Sequence, residues 1–308
     1  MVMLCFANSE PQTIKTRTFP VLTVAPQPFV KAQTNEDLIA LWLHGKSPNT
    51  CDSYRRDIQY FLLSVENKLL SHITLNDIQA FATKLAEQGY ASATQRRRLN
   101  AVKSLLSYGH EMAILAYNVG KPIKPPKVKL TIAERILSEA QVLTILSHIT
   151  KARDYALFRL LYATGGRVSE ICALRWRDVQ ESNFGRGQVT LFGKGQKTRT
   201  VVFSAATWQI VRDLRGTASG DDFVFRSRTG KMLARTQVAR VLRAACERAE
   251  MSAKVSPHWF RHSHATHALE RGTPITLVQT TLGHASIATT GIYLHVRPQE
   301  SSALYLAV

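Results

Sequence analysis

The 308-residue sequence has only four cysteines, Cys5, Cys51, Cys172 and Cys246, scattered without paired spacing. That scarcity excludes a disulfide framework or a cysteine-built zinc site and fits a reducing compartment. No apolar run approaches the ~20 residues that span a membrane. The opening MVMLCFA has neither the basic leader nor the length of a signal-peptide core. The chain is therefore expected in the cytoplasm. Acidic residues are also scarce: 22 Asp+Glu against 40 Lys+Arg leave a formal net charge of +18. The excess runs through both halves, +7 over residues 1–130 (16 basic, 9 acidic) and +11 over residues 131–308 (24 basic, 13 acidic). Charge of that sign and spread favours a polyanionic partner.

Residues 1–32 carry Pro11, Pro20, Pro26 and Pro28 and lack amphipathic periodicity, so they read as an extended leader. Four amphipathic patterns follow within residues 33–118. NEDLIALWLHG stops at Gly45. TCDSYRRDIQYFLLSV, behind Pro48, puts Tyr54, Ile58, Phe61, Leu62 and Val65 on one face. TLNDIQAFATKLAEQG opens on a Thr74/Asp77 capping pair and stops at Gly89. SATQRRRLNAVKSLLSYGHEM turns Leu99, Val102, Leu105 and Leu106 inward. Short turns between four such helices predict a small helical bundle. Arg96, Arg97, Arg98 and Lys103, with Arg55 and Arg56, are candidate contacts on it for the polyanionic partner, although a basic run is equally often a solvated face.

Residues 119–134 centre on KPIKPPKVK, three prolines and four lysines, which read as a semi-rigid linker suited to lying over a duplex. Residues 135–308 predict a second domain, mostly helical with one small sheet. LSEAQVLTILSHI opens on a Ser138/Gln141 capping box, and RDYALFRLLYATGG reads as a buried helix ending at Gly165 and Gly166. RVSEICALRW then opens a helix with Arg167 in its first turn. QVTLFG, the turn KGQK and TRTVVFS read as a β-hairpin. A helix over about 205–215, a short strand FVFRS and a helix over about 235–249 complete the lead-in.

The stretch 256–293 carries the chemistry. Ser256–Pro257 is a helix start, and His258 and Arg261, three apart, share one face of that helix. Gly283 fits a helix C′ position and leaves His284 on the following turn, with Tyr293 nine residues on. Imidazoles, a guanidinium and a phenol together suit a phosphodiester. His258 and His262 also have ligand-like i, i+4 spacing. His264, however, lies well around the helix and no acidic or cysteine ligand accompanies them, so no metal is assigned. His262, His264 and His267 read as core or orienting residues.

These motifs resemble the tyrosine recombinase signature: His-x-x-Arg, then Leu-Gly-His, then Tyr, preceded by TGGRVSE with Arg167 and by FGKGQKTRTV with Lys194. Six positions are filled in order. The resemblance covers roughly residues 35–300 and is nearest to the compact Xer-like group. Gly166 departs from it, standing where an apolar residue is more usual, and is expected to alter packing rather than chemistry. The resemblance implies a SAM-like core-binding bundle that grips DNA and a tyrosine-recombinase catalytic domain. It makes Tyr293 the nucleophile and sets Arg167 and Arg261 on the non-bridging phosphate oxygens. Lys194 becomes the acid for the leaving 5′-oxygen, with Lys197 its rival in the same turn. His258 relays the tyrosine proton, His284 hydrogen-bonds a phosphate oxygen and Glu170 orients the arginine or a histidine.

The implied reaction is site-specific strand exchange through a 3′-phosphotyrosyl bond, as in chromosome or plasmid dimer resolution, with no ATP, metal or other cofactor. Four protomers, identical or paired with a related recombinase, would hold two duplexes, with residues 294–308 as the candidate inter-protomer contact. Integration or excision of a mobile element is a competing duty for the same chemistry. A type IB topoisomerase, distinguished by religation without a partner site, competes less strongly, as does a catalytically silent DNA-binding protein.

Overall fold

Helix starts follow from capping chemistry. In the computed structural model, which describes residues 34–128, 131–193, 197–252 and 254–294, Thr34, Thr74 and Ser138 each close a capping box with the residue three positions on. The chain divides into two compact units, residues 1–129 and 130–308. The expected leader, residues 1–32, lies outside the described residues.

The first unit contains α1 (Asn35–Leu43), α2 (Pro48–Ser64), α3 (Leu75–Glu87) and α4 (Ser92–Glu111). The fourth helix packs against the other three. Its apolar face, Leu99, Val102, Leu105 and Leu106, is buried with Ile58, Phe61, Ile78 and Phe81. Phe61 and Phe81 meet edge-on with ring centroids 5.1 Å apart.

The second unit contains α5 (Glu139–Ser147), α6 (Ala152–Thr164), α7 (Val168–Cys172), α8 (Ala205–Arg212), α9 (Arg235–Arg248), α10 (Pro257–Glu270), α11 (Ile275–Leu282) and α12 (Ile287–Gly291). A three-stranded antiparallel sheet has the order β1 (Val179–Glu181), β2 (Gly187–Phe192), β3 (Thr198–Phe203). Gly187 faces Phe203 and Phe192 faces Thr198 across the β2–β3 ladder. The α6 helix runs between α8 and α10, which explains why seven of its residues, among them Leu157, Phe158, Leu160 and Leu161, are buried. Among the described residues no helix is long and apolar enough to cross a membrane.

Four local features differ from the sequence reading. β1 has no sequence signal; three residues with one buried side chain carry too little alternation to be seen. FVFRS is not a strand. Its Val224 and Phe225 are buried, but the backbone makes isolated bridges at Phe223 and Arg226 and scattered bonds, Val224 N to Leu174 O, Leu233 N to Phe225 O and Ser227 N to Lys231 O, rather than a ladder. α7 is a single short turn with Arg167 at its N-cap rather than inside it. Ser256 occupies the α10 N-cap, but its side chain accepts no capping hydrogen bond.

The turn from α6 to α7 is fixed by two glycines. Gly165 ends α6 at φ +59°, and a Cβ there would lie 2.7 Å from both His264 and Leu282. At Gly166 a Cβ would lie 2.8 Å from Ile171 Cδ1, so in this chain Ile171 fills the space a larger residue would take.

Candidate active site

Three segments converge at the site: the α6–α7 turn, the hairpin, and the run from α10 to Tyr293. Arg167 extends from the α7 N-cap with 37% of its side chain exposed. Its backbone N–H and its Nη1 both donate to the Glu170 carboxylate, each at 2.8 Å. Glu170 is buried. Burial opposes its ionisation, yet hydrogen bonds from Arg199 and Arg167 hold its carboxyl below the usual range.

Arg261 points inward from α10 with 6% exposure. Its Nη1 donates to Gly165 O at 2.6 Å and its Nη2 to Leu282 O at 2.7 Å. The guanidinium thus ties the end of α6 to the end of α11. Burial, and then the neighbouring Arg167 and Arg199, push its pKa down to about 10, so it stays charged at neutral pH.

Gly283 ends α11 at φ +67° and turns the chain so that His284 faces back. His284 Nδ1 lies 2.9 Å from Thr290 Oγ1, and its ring stacks on Tyr293 at 6.4 Å and 11°. Tyr293, just past α12, is 4% exposed. Its hydroxyl lies 2.8 Å from Nδ1 of His262. Burial raises the Tyr293 pKa, with Arg261 opposing. Burial also pushes His262 and His284 down to about 4, helped at both rings by Arg261. Both imidazoles are therefore neutral at physiological pH, and the positive charge of the cup is carried by guanidinium groups.

His258 is exposed at the start of α10. With His262, Arg135 and Lys254 it lines a cavity of about 690 Å³. Arg167, Lys197, Arg199 and His284 line another of about 620 Å³. Lys194 lies outside the described residues. The hairpin is closed just beside it by Gly193 N donating to Lys197 O at 2.8 Å. His264 and His267 turn to α6: His264 Nδ1 lies 2.7 Å from Tyr162 O, and His267 Nδ1 lies 2.8 Å from Tyr162 Oη.

The basic residues of the bundle divide. Arg55, Arg56 and Arg96 are exposed. Arg97 pairs with the buried Asp57. Arg98 is 14% exposed and its guanidinium sits between the rings of Tyr60 and Tyr90, 3.9 and 4.2 Å from their centroids. Lys103 donates to the carbonyls of Ile123 and Lys121. Arg98 and Lys103 are thus engaged within the unit.

Two site residues are not singled out by the sequence motifs. His262, a core or orienting residue by sequence, holds the Tyr293 hydroxyl. Arg199 lies within the FGKGQKTRTV stretch, but the position that marks that stretch is Lys194. Period-two alternation does point to Arg199, since the inward Val201 and Phe203 of β3 put it on the same face.

A cluster of arginines and neutral imidazoles around a buried tyrosine marks a phosphodiester-handling protein, and comparison with known proteins gives the particular family. Residues 135–300 match the family described as phage integrase family, and residues 38–110 match the phage integrase N-terminal SAM-like domain. The chain belongs to the phage integrase family, among the tyrosine recombinases. The tyrosine recombinase XerC of Herpetosiphon aurantiacus is 35% identical, over 82% of this chain and 86% of its own. The tyrosine recombinase XerD of Staphylococcus epidermidis is 32% identical, over 85% and 92%. In fold the chain is similar to a lambda integrase dimer bound to a COC′ core site, with TM-score 0.69 and 17% identity over 87% of this chain and 79% of that one. It is also similar to the XerH site-specific recombinase bound to difH substrate, with TM-score 0.68 and 21% identity over 90% and 85%.

Proposed function

We propose that this protein is a site-specific DNA recombinase that cuts and rejoins strands through Tyr293, with an Xer-like duty in resolving chromosome or plasmid dimers. The observation that carries the reading is the convergence on Tyr293 of His262, His284 and Arg261, with Arg167 and Glu170 adjoining. The Tyr293 oxygen attacks the scissile phosphorus, forming a 3′-phosphotyrosyl bond and releasing a 5′-hydroxyl. Arg167 and Arg261 hold the non-bridging oxygens, since each guanidinium has N–H groups to spare beyond its bonds within the protein. Lys194 protonates the leaving oxygen, His258 relays the tyrosine proton, and His284 donates to a phosphate oxygen. A 5′-hydroxyl of the partner duplex then reverses the steps, so the energy of the broken bond is conserved in the covalent link.

Residues 33–118 grip the duplex and residues 135–308 cut it. Double-stranded DNA and further protomers are the partners, a reading supported by the fold's similarity to a lambda integrase tetramer bound to a Holliday junction. Deleting residues 299–308 is expected to weaken synapsis more than binding to a single site.

The test begins with DNA trapped covalently on the protein in cells and sequenced to give the site. A nicked suicide duplex carrying it is then incubated with purified protein in EDTA and run on a denaturing gel. The expected result is an adduct with the wild type and none with Tyr293→Phe. Tight binding without an adduct, or an adduct that persists in Tyr293→Phe, would overturn the proposal.

A further inference from the structure

We infer that Arg199 is a positioning residue for strand cleavage, acting through Glu170 on Arg167 and through the end of α11 on His284. This rests on the reading of the site as the cleavage centre.

All three nitrogen positions of the Arg199 guanidinium are committed inside the protein. Its Nη2 donates to Glu170 Oε2 at 2.7 Å, its Nη1 to Oε1 at 3.2 Å, and its Nε to Thr281 O at 2.7 Å. Only 9% of the side chain is exposed, against 37% for Arg167. The two arginines thus share one carboxylate but differ in role: Arg199 is locked, and Arg167 keeps a face open to an anion.

Charge shows why both are needed. Arg167, Glu170 and Arg199 together carry one net positive charge, available to a phosphate. Without Arg199 the remaining pair is neutral, and a buried carboxylate that has lost half its donors draws Arg167 onto itself. The Arg167 fork is then turned from the position where charge builds in the pentavalent phosphorane.

Geometry extends the same brace to two other segments. Thr281 O belongs to the last turn of α11, where carbonyls lack helical partners. A Cβ on Gly283 would lie 3.1 Å from Arg199 Cδ and Nη1, so the turn that presents His284 is packed directly on this side chain. At the hairpin, a Cβ on Gly193 would lie 3.6 Å from Glu170 Oε1. One guanidinium therefore joins β3 to the α7 start and to the α11 end.

The test measures adduct formation in a single turnover on the nicked suicide duplex across a range of protein concentrations. The set is wild type, R199A, R199K, E170A and R199A/E170A. R199A is expected to cleave on the order of 100-fold more slowly at saturation, the scale of a misplaced catalytic group. Its half-saturating concentration should move by less than about threefold. R199K, which keeps the charge and loses the fork, should fall between wild type and R199A. The double variant should be no slower than the slower single variant, because both substitutions break one brace. On a duplex with sulfur in place of the bridging 5′-oxygen, which needs no protonation to leave, the R199A defect should persist.

Wild-type speed in R199A or R199K would overturn the inference. So would independent losses in the double variant, or a defect that vanishes with the sulfur leaving group, which would place Arg199 with the proton donor instead. If R199A does not fold, R199K carries the same comparison. Absence of an adduct from the wild type would instead remove the proposed function, which is a separate outcome.

Discussion

At the scale of single residues, the bond between Tyr293 and His262 makes a specific energetic claim. The hydroxyl is buried with Nδ1 of His262 at 2.8 Å, so removing one partner leaves a polar group unsatisfied. His262→Leu is expected to destabilise the second unit by roughly 1–3 kcal/mol, read from urea unfolding. His262→Leu combined with Tyr293→Phe should regain most of that loss, since two apolar partners need no hydrogen bond. Full additivity of the two losses would show that the bond is not formed in solution. The histidines also predict a pH dependence. His262, His264 and His284 are each held at about 4, against about 6.5 in an unfolded chain. The unfolded state therefore binds more protons than the folded one between these values. Their stabilising contribution is whole above about pH 6.5 and is lost as pH falls toward 4. Tm is expected to drop by on the order of 10 °C between pH 7.5 and 4.5, and a flat profile would contradict neutral buried rings. Glu170, whose pKa is lowered, stays ionised over most of that window and does not account for the drop.

At the scale of elements, α4 shows how a basic run can hide two functions. Residues 96–98 look alike in sequence, but the helix turns each by about 100° from the last. Arg96 is exposed, while Arg98 is clamped between Tyr60 and Tyr90 with Asp57 3.9 Å away. Arg98→Ala is expected to cost roughly 1–3 kcal/mol of stability. Arg96→Ala should leave stability within about 0.5 kcal/mol and weaken DNA binding evenly across sequences. Equal stability losses would show that the tyrosine clamp contributes nothing. The same contrast explains what can be read from the chain alone. The helix pattern is legible because caps such as Thr74 with Asp77, stops such as Gly165 and Gly283, and apolar faces act within a turn or two of the residue concerned. Arg167, Arg261, His284 and Tyr293 are picked out by their resemblance to the tyrosine recombinase signature. What escapes depends on neighbours distant in the chain: Arg98 needs Tyr60, Arg199 needs Glu170 and Thr281, and His262 needs Tyr293. β1 needs β2 to exist at all, and FVFRS mimics a strand because its apolar residues serve the core without a strand beside them.

At the scale of the whole molecule, charge is the dominant property, and its effect on binding can be measured. Each unit has its own hydrophobic core and carries a surplus of basic residues. Phosphate contacts release counterions, so log K against log salt falls with a slope of about −0.9 per phosphate neutralised. For a protein with +18 formal charge, contacts to about 6–10 phosphates would lower affinity by roughly 10³–10⁵ between 50 and 200 mM salt. If both units touch the backbone, the slope must divide between them. Arg96→Ala in the whole chain should then reduce it by about one, and the isolated segment 130–308 should show a distinctly shallower line on the same duplex. A segment 130–308 whose slope equals that of the whole chain would mean that the first unit makes no phosphate contacts. Its basic surface would then be only a solvated face, and the second unit alone would hold the DNA against its cleavage site.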